Sequence, residues 1–451
     1  MVRNATVVLL SVTLGVSSIA EAQIPAPQAE SPLSAFVGNY DVAPGHILGI
    51  DLYSEGSEPA LVYSDYQSGV IRRLTASPGG FSAGPGFGVA TPTMFTVQFD
   101  SDGTDVAPAL VVESVGKPAL RATRLPVAST DVRFGSSDTT LAGTLLVPRS
   151  SSRRHPAIVL LHGSGRLTRH SFGPYPHFFT SLGLAVLTYD KRGTGASTGR
   201  FFDRTTQYPD VFADDALEAV RFLRTRPDID PSQIGVWGAS EGGMLATQVA
   251  ARSSDVAFAI NSSGFMVPLW QQVMFNIESQ LTADGFSREE VAEAVGFERF
   301  AMQVMRTGER WDEFQEAQNA AKRTKWFKAY FGGGNGFSTV ESLRRQWNYV
   351  YSFDPLPALK SIRCPVLGVF GELDTSTPAR RSAENLRIGV RAGGNPNVTV
   401  KVFKGTNHPL MAARTGGPSE MPALGNMSPG VFETLREWIQ TVIRAKVATE
   451  S

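Results

Sequence analysis

From about Ser129 onward, short continuous apolar runs alternate with stretches of helical periodicity. Runs that are apolar at consecutive positions are typical of strands buried on both faces of a parallel sheet. Such strands need crossover connections, which helices provide. The predicted strands span residues 157–161, 184–189, 234–237, 257–260, 366–370 and 398–403. The alternation therefore predicts an α/β sheet with crossover helices, of which the clearest spans residues 214–223.

The preceding segment has a different pattern. Residues 23–34 are rich in Pro, Ala and Ser, as linkers are. Residues 35–128 contain alternating apolar and polar positions, for example 95–99, and turn residues such as Asp102-Gly103. We expect residues 23–128 to form a linker and a small all-β domain, either a barrel or a sandwich.

Residues 264–355 interrupt the α/β alternation. This segment is helical in character and contains four of the six tryptophans. It divides the α/β core into residues 129–263 and 356–451. We interpret it as a helical cap over a site; the alternative is an ordinary helical domain without contact to any site.

The first 22 residues have the pattern of a secretory signal peptide. Arg3 supplies a positive start, residues 5–16 are mostly apolar, and Ala20-Glu21-Ala22 has the form of a cleavage site. The apolar run is too short to span a bilayer. We therefore expect a periplasmic or secreted protein, cleaved after about Ala22.

Composition excludes several classes of function. Lys and Arg total 42 and so do Asp and Glu, and this zero net charge argues against a nucleic-acid partner. The single cysteine, Cys364, forms neither an internal disulfide nor a thiolate zinc site. Four of the six histidines, His155, His162, His170 and His177, recur at intervals of seven or eight residues, without the spacing of zinc ligands. No metal or organic cofactor is expected.

Gly238-Ala239-Ser240-Glu241-Gly242 lies between a predicted strand and a predicted helix. A sharp strand-to-helix turn exposes its central serine, and glycines on both sides leave room for the close chain approach. The helix amino terminus favours negative charge that develops beside it. This context predicts Ser240 as a nucleophile.

Acyl transfer at such a serine needs two N–H donors for the oxyanion. His162-Gly163-Ser164-Gly165 follows the predicted strand 157–161 and can supply one donor. We assign the backbone N–H groups of Ser164 and Glu241. We expect His162 to stabilise the turn rather than transfer protons.

A serine hydroxyl also needs a base, and on this kind of turn the acid and the base come later in the chain. His408 is the only histidine after Ser240, so it is the predicted base. Asp374, which follows the predicted strand 366–370, is the predicted acid. Glu372 and Asp354 stay open as alternatives, and so does a helix-capping role for Asp374 before Pro378.

With these motifs, the segment from Asp131 to Ala445 resembles the α/β-hydrolase superfamily. The loop from Tyr189 to Ser197 is similar to one in its bacterial esterase, thioesterase and serine-aminopeptidase-like members. The resemblance implies an eight-stranded, mostly parallel sheet, and structural roles for Asp190 and Arg192. It does not cover the β domain.

We expect the function to be hydrolysis of carboxylic esters through an acyl-enzyme. The alternatives are a serine peptidase or aminopeptidase, a thioesterase, or a non-catalytic binding protein. A small-molecule ester or peptide is the expected partner.

Overall fold

A computed structural model of the chain describes residues 32–54, 58–100, 106–149, 153–201, 209–332, 336–347 and 351–450. The predicted signal peptide, the linker up to residue 31 and the Asp102-Gly103 turn lie outside the described residues.

The amino-terminal unit is an antiparallel sheet that closes into a barrel. Its strands are β1 Gly38–Ala43, β2 His46–Tyr53, β3 Ala60–Asp65, β4 Ile71–Arg73, β5 Thr75–Ser77, β6 Gly80–Ala83, β7 Phe95–Phe99, β8 Ala109–Ser114 and β9 Leu120–Arg124. They are paired in the order β4-β3-β2-β1-β9-β8-β7-β6-β5. The two edge strands, β4 and β5, are separated only by Leu74, whose N–H donates to Leu61 O. The first and last strands of the sheet are therefore joined end to end in the chain, as in a barrel. Its interior includes Tyr40, Leu48 and Leu110.

The second sheet has eight strands. They are β10 Val127–Gly135, β11 Thr140–Pro148, β12 His155–Leu161, β13 Ala185–Tyr189, β14 Ile229–Ala239, β15 Phe258–Ser262, β16 Val366–Gly371 and β17 Val398–Phe403. The order is β10-β11-β13-β12-β14-β15-β16-β17. β10 and β11 are antiparallel to their neighbours, and β12 to β17 pair in parallel. This confirms the α/β fold and the eight-stranded, mostly parallel sheet.

Helices cover both faces of this sheet. They are α1 Tyr175–Ser181, α2 Asp210–Arg224, α3 Glu241–Arg252, α9 Leu356–Leu359, α10 Ala379–Ala392 and α11 Val431–Glu450. α2, α3 and α10 share a core with Ala157, Val159 and Leu161, whereas α1 and α11 share one with Ile158 and Leu160. Alternate residues of β12 thus face opposite layers, which explains its continuous apolar run.

In the described part of residues 264–355, the segment predicted as a cap, there are five α-helices. They are α4 Leu269–Ala283, α5 Arg288–Thr307, α6 Trp311–Ala321, α7 Lys325–Phe331 and α8 Val340–Gln346. A reciprocal pair of hydrogen bonds between Ser287 and Glu290 caps the start of α5. Within the described part of the chain, no helix combines the length and the hydropathy needed to cross a bilayer.

The barrel packs against the α/β unit through buried polar and aromatic contacts. Asp51 Oδ1 lies 2.6 Å from His177 Nδ1 of α1, and both side chains are buried. The Tyr66 ring contacts Phe178 and Phe432, with ring centroids 5.3 Å apart in both pairs. The barrel also pairs with the loop that follows His408, since residues 69–71 exchange backbone hydrogen bonds with residues 425–427. The barrel therefore supports one side of the loop region in which the predicted base lies.

The buried carboxyl of Glu298 on α5 makes the stability of the fold depend on pH. Burial raises its pKa to about 7, and its Oε1 has no hydrogen-bond partner among the described residues. Between pH 4.5 and about 7 the unfolded chain releases this proton while the folded chain keeps it, so folding becomes less favourable as pH rises. The free energy of unfolding of the wild type should therefore fall by up to about 3 kcal/mol over this range because of Glu298, and in Glu298→Gln protein this fall should be absent.

Urea unfolding at pH 5 and pH 8, followed by tryptophan fluorescence, measures this difference between wild type and variant. Glu293→Gln on the same helix is the matched control, because Glu293 is exposed. An equal change of stability with pH in wild type and Glu298→Gln would contradict the prediction.

Candidate active site

Ser240 occupies a strained turn between β14 and α3. Its φ is 58° and its ψ is −123°, a backbone conformation that residues other than glycine rarely adopt. A Cβ at Gly238 would lie 2.1 Å from the Gly242 carbonyl oxygen, and a Cβ at Gly242 would lie 2.1 Å from Leu161 O. Both glycines are therefore required by close backbone contacts. The serine side chain makes no capping hydrogen bond to α3 and is partly exposed.

The predicted catalytic side chains share one edge of the sheet. Ser240 directly follows β14, Asp374 lies three residues beyond β16, and His408 lies five residues beyond β17. These strands and β15 are parallel neighbours, so their carboxyl ends meet at the same edge. Neighbouring strands lie about 4.8 Å apart, which places the three residues within one short row of strand ends.

Asp374 and His408 are in direct contact. Asp374 Oδ2 lies 2.8 Å from His408 Nδ1. The carboxylate is fully buried and accepts three further hydrogen bonds, from Ser376 N at 2.7 Å, Thr377 N at 2.8 Å and Thr377 Oγ1 at 2.7 Å. A carboxylate held in this way fixes the orientation of the imidazole and leaves Nε2 for a reacting group. The N-cap residue of α10 is Pro378, and Asp374 binds Ser376 and Thr377 in the loop before that helix, so its carboxylate does not have the helix-capping role that we considered.

The two alternative acids form other contacts. Glu372 Oε1 lies 2.5 Å from Arg380 Nη2, and Asp354 Oδ1 accepts the N–H of Leu356 at 3.0 Å. Neither carboxylate is hydrogen-bonded to His408 in the described part of the chain. Of the three candidates, Asp374 is thus the one that the fold brings to the histidine.

The two predicted oxyanion donors lie just beyond the ends of two neighbouring strands. β12 and β14 are adjacent, with Leu161 opposite Gly238, so the turn containing Ser164 lies beside the start of α3. Glu241 is the first residue of α3. Neither the Ser164 N–H nor the Glu241 N–H donates to an acceptor among the described residues. Both groups are therefore available to an anion at this edge.

His162 is a packing residue. It is buried, and its ring contacts Phe172 and Tyr189 with centroid distances of 4.5 and 5.1 Å. Burial, with the positive charge of Lys191 nearby, lowers the pKa of His162 to about 3. The ring is therefore uncharged at neutral pH, in keeping with the structural role expected from its place in the turn.

Asp190 also has the structural role that the resemblance implies. Its carboxylate binds the backbone N–H and the guanidinium of Arg169 and accepts the Ala196 N–H at 2.9 Å. Arg192 forms two hydrogen bonds with Asp215, of 2.8 and 2.6 Å. These contacts stabilise the loop after β13.

Sequence reasoning missed three amides of α4 that bind the loop of Asp374. Gln272 Nε2 donates to Ser376 O at 2.6 Å, Asn276 Nδ2 to Thr375 O at 3.3 Å, and Gln280 Nε2 to Ser376 Oγ at 3.4 Å. The cap therefore touches the acid-bearing loop directly. The spacing of four residues puts the amides on one helix face, and this was the available signal.

It also missed Lys191, which lies two residues beyond the predicted strand 184–189. Its ammonium lies 2.7 Å from Gly163 O and 2.7 Å from Glu241 Oε1. The lysine thus joins the loop of Ser164 to the start of α3, the two segments that carry the predicted oxyanion donors. An ionisable residue at the end of a buried strand was a signal, but its partners could not be read from the sequence.

A cleft of about 700 Å³ lies in the cap, between α4, α5 and Trp347. Trp270, Phe275 and Met302 form apolar walls, with Arg299 and Arg306 beside them. Ser240, Asp374 and His408 do not line it. In the described ranges, no group of three or more His, Cys, Asp or Glu side chains is placed to hold a metal ion.

The chain matches the profile of the alpha/beta hydrolase family over residues 158–416, which is more than half of its length. A quorum-quenching protein of Acinetobacter baumannii is 31% identical over 144 residues, which are 31% of this chain and 45% of that protein. A thiohydrolase of Aspergillus aculeatus is 34% identical over 106 residues, which are 24% of this chain and 33% of that protein. The chain therefore spans less than half the length of these curated relatives.

Among solved structures, an esterase of Pyrococcus furiosus aligns with 70% of this chain and 90% of its own, with 18% identity and a TM-score of 0.43.

Proposed function

The chain belongs to the alpha/beta hydrolase family, and we propose that it is a serine hydrolase that cleaves carboxylic esters. The observation that carries the proposal is the 2.8 Å contact between Asp374 and His408 at the sheet edge where Ser240 occupies its strained turn. Nucleophile, base and orienting acid are the three groups that acyl transfer by a serine requires. A non-catalytic binding protein would not need this combination.

The proposed reaction has two halves. His408 Nε2 accepts the proton of the Ser240 hydroxyl while the oxygen attacks the ester carbonyl, and the N–H groups of Ser164 and Glu241 stabilise the oxyanion. Collapse of the tetrahedral intermediate expels the alcohol, which takes the proton from His408. Water then attacks the acyl-enzyme with His408 as the base, which releases the acid and restores the Ser240 hydroxyl.

Thioester hydrolysis is a second candidate, supported by the similarity to a thiohydrolase. Peptidase activity would use the same catalytic groups. An exopeptidase would also need a charged side chain in the cap to bind the free peptide terminus, and we assign no residue to that role. Export through the signal peptide of residues 1–22 is also part of the proposal.

A panel of matched substrates distinguishes these activities. If the protein is an esterase, p-nitrophenyl esters should have a much higher kcat/KM than aminoacyl p-nitroanilides or acyl thioesters of the same acyl length. We compare kcat/KM because the ratio of these values expresses discrimination between substrates. Ser240→Ala protein supplies the background for each compound. Faster cleavage of the anilides or of the thioesters would replace the ester assignment by the peptidase or the thioesterase.

A further inference from the structure

We propose that Lys191 is a positioning residue that holds both oxyanion donors in place, by binding the Gly163 carbonyl and the Glu241 carboxylate with one buried ammonium group. The inference rests on the proposed function, because it assumes that the Ser164 and Glu241 N–H groups stabilise an oxyanion. It adds a residue from the loop after a third strand, β13, to the two segments already described.

The first contact controls the direction of the Ser164 N–H. Gly163 O and Ser164 N–H belong to the same peptide unit, which is trans. In a trans peptide the C=O and N–H bonds point in opposite directions, and the unit is planar. A hydrogen bond of 2.7 Å from Lys191 Nζ to Gly163 O therefore also fixes the direction of the Ser164 N–H. Without the lysine, this glycine-flanked peptide is free to rotate.

The second contact acts on the other donor and on the local charge. Lys191 Nζ binds Glu241 Oε1 at 2.7 Å, and the exposed fractions of the two side chains are 3% and 11%. Glu241 supplies the other N–H, so its side-chain contact anchors the first residue of α3. The ammonium also neutralises a carboxylate that lies close to where the oxyanion develops. An unpaired negative charge there would oppose the reaction, since charges interact strongly in a poorly hydrated site.

Aromatic rings complete the surroundings of the Lys191 ammonium. The ammonium lies 4.7 Å from the centroid of the Phe212 ring and 5.5 Å from that of Phe201. Two hydrogen bonds and two aromatic rings therefore surround the ammonium and hold it in place. The lysine acts through the groups that it orients.

Lys191→Met tests the inference, because methionine keeps much of the side-chain length without a donor or a charge. We expect kcat for an ester to fall by about 100-fold, the range seen when one oxyanion donor is lost, with little change in KM. The affinity for a boronic acid, which forms a tetrahedral adduct with the serine, should fall by a similar factor. A purely structural lysine would change the melting temperature without this selective loss of kcat. Lys117→Met is the matched control, because Lys117 is exposed in the barrel.

The single variant leaves the Glu241 carboxylate without its partner and for that reason could fail to fold. The double variant Lys191→Met, Glu241→Gln removes both charges of the pair, so it allows the test to be made in that case. The double variant should still lose kcat, since the Gly163 carbonyl has no donor. A kcat within threefold of wild type in either folded variant, or a loss confined to KM, would overturn the inference. If wild-type protein hydrolyses no ester at all, or if Ser240→Ala protein is fully active, the proposed function fails instead.

Discussion

Replacement of Ser240 by alanine is expected to lower kcat/KM for ester substrates by roughly five to six orders of magnitude, the loss typical of a missing serine nucleophile. The substitution removes only the hydroxyl oxygen, and that oxygen does not cap α3. Alanine has the same Cβ as serine, so the strained turn with its φ of 58° should persist. The activity should therefore fall without a comparable loss of stability. Reaction with a fluorophosphonate, detected as a mass increase on the peptide that contains residue 240, measures the same nucleophile directly.

Ser263 offers a matched control for this experiment. It directly follows the neighbouring strand β15 and also has a positive φ, of 54°. Its side chain is buried, however, and its hydroxyl has no hydrogen-bond partner among the described residues. Ser263→Ala protein should keep its fluorophosphonate labelling and its activity. Undiminished labelling of Ser240→Ala protein would show that another residue is the nucleophile.

Asp374→Asn should lower kcat by about 10⁴-fold, because it forces the wrong tautomer on His408. Asp374 Oδ1 accepts two backbone N–H groups, of Ser376 and Thr377, so the asparagine oxygen must take that position. Its NH₂ group then faces His408 Nδ1, where the carboxylate oxygen now lies at 2.8 Å. Nδ1 becomes an acceptor, and the ring proton moves to Nε2. That nitrogen can then no longer accept a proton from Ser240.

Glu372→Gln is the matched control, since it also converts a carboxylate to an amide in the same loop. Glu372 pairs with the exposed Arg380 side chain, and we expect its loss to change kcat little. Steady-state rates for both variants with one ester give the comparison. A larger loss for Glu372→Gln than for Asp374→Asn would refute the assignment of the acid.

The strands were predictable where apolar runs define them and less so where polar residues continue them. β17 agrees with the prediction at both ends, because its run stops at the turn residues that follow Phe403. β14 was predicted as residues 234–237 but spans Ile229–Ala239. Its first part contains Asp230 and pairs with β12 through an irregular register near His155. Pairing with a neighbour, which periodicity does not reveal, extends this strand.

The barrel was predictable as an all-β unit but not in its closure. Alternating apolar positions and turn residues indicate strands locally. β4 and β5, which meet at Leu74, are the first and last strands of the sheet. This is so only because the seven other strands pair in the order that the tertiary structure shows. Contact of the barrel with the loop after His408 likewise depends on the assembled fold.

The sequence by itself determined the strand-turn-helix around Ser240 and, by elimination, the histidine that can serve it. A close backbone contact within the turn demands Gly238, and only one histidine follows the serine. Gly242 is required by the approach of Leu161 O from the neighbouring strand β12, which the tertiary structure supplies. The tertiary structure decided which of three carboxylates meets His408, and it brought Lys191 to acceptors 28 and 50 residues away along the chain. Turns are governed by neighbouring residues, whereas the partner of a buried charge is chosen by the packing of distant segments, because a charge removed from water must be paired wherever the fold permits.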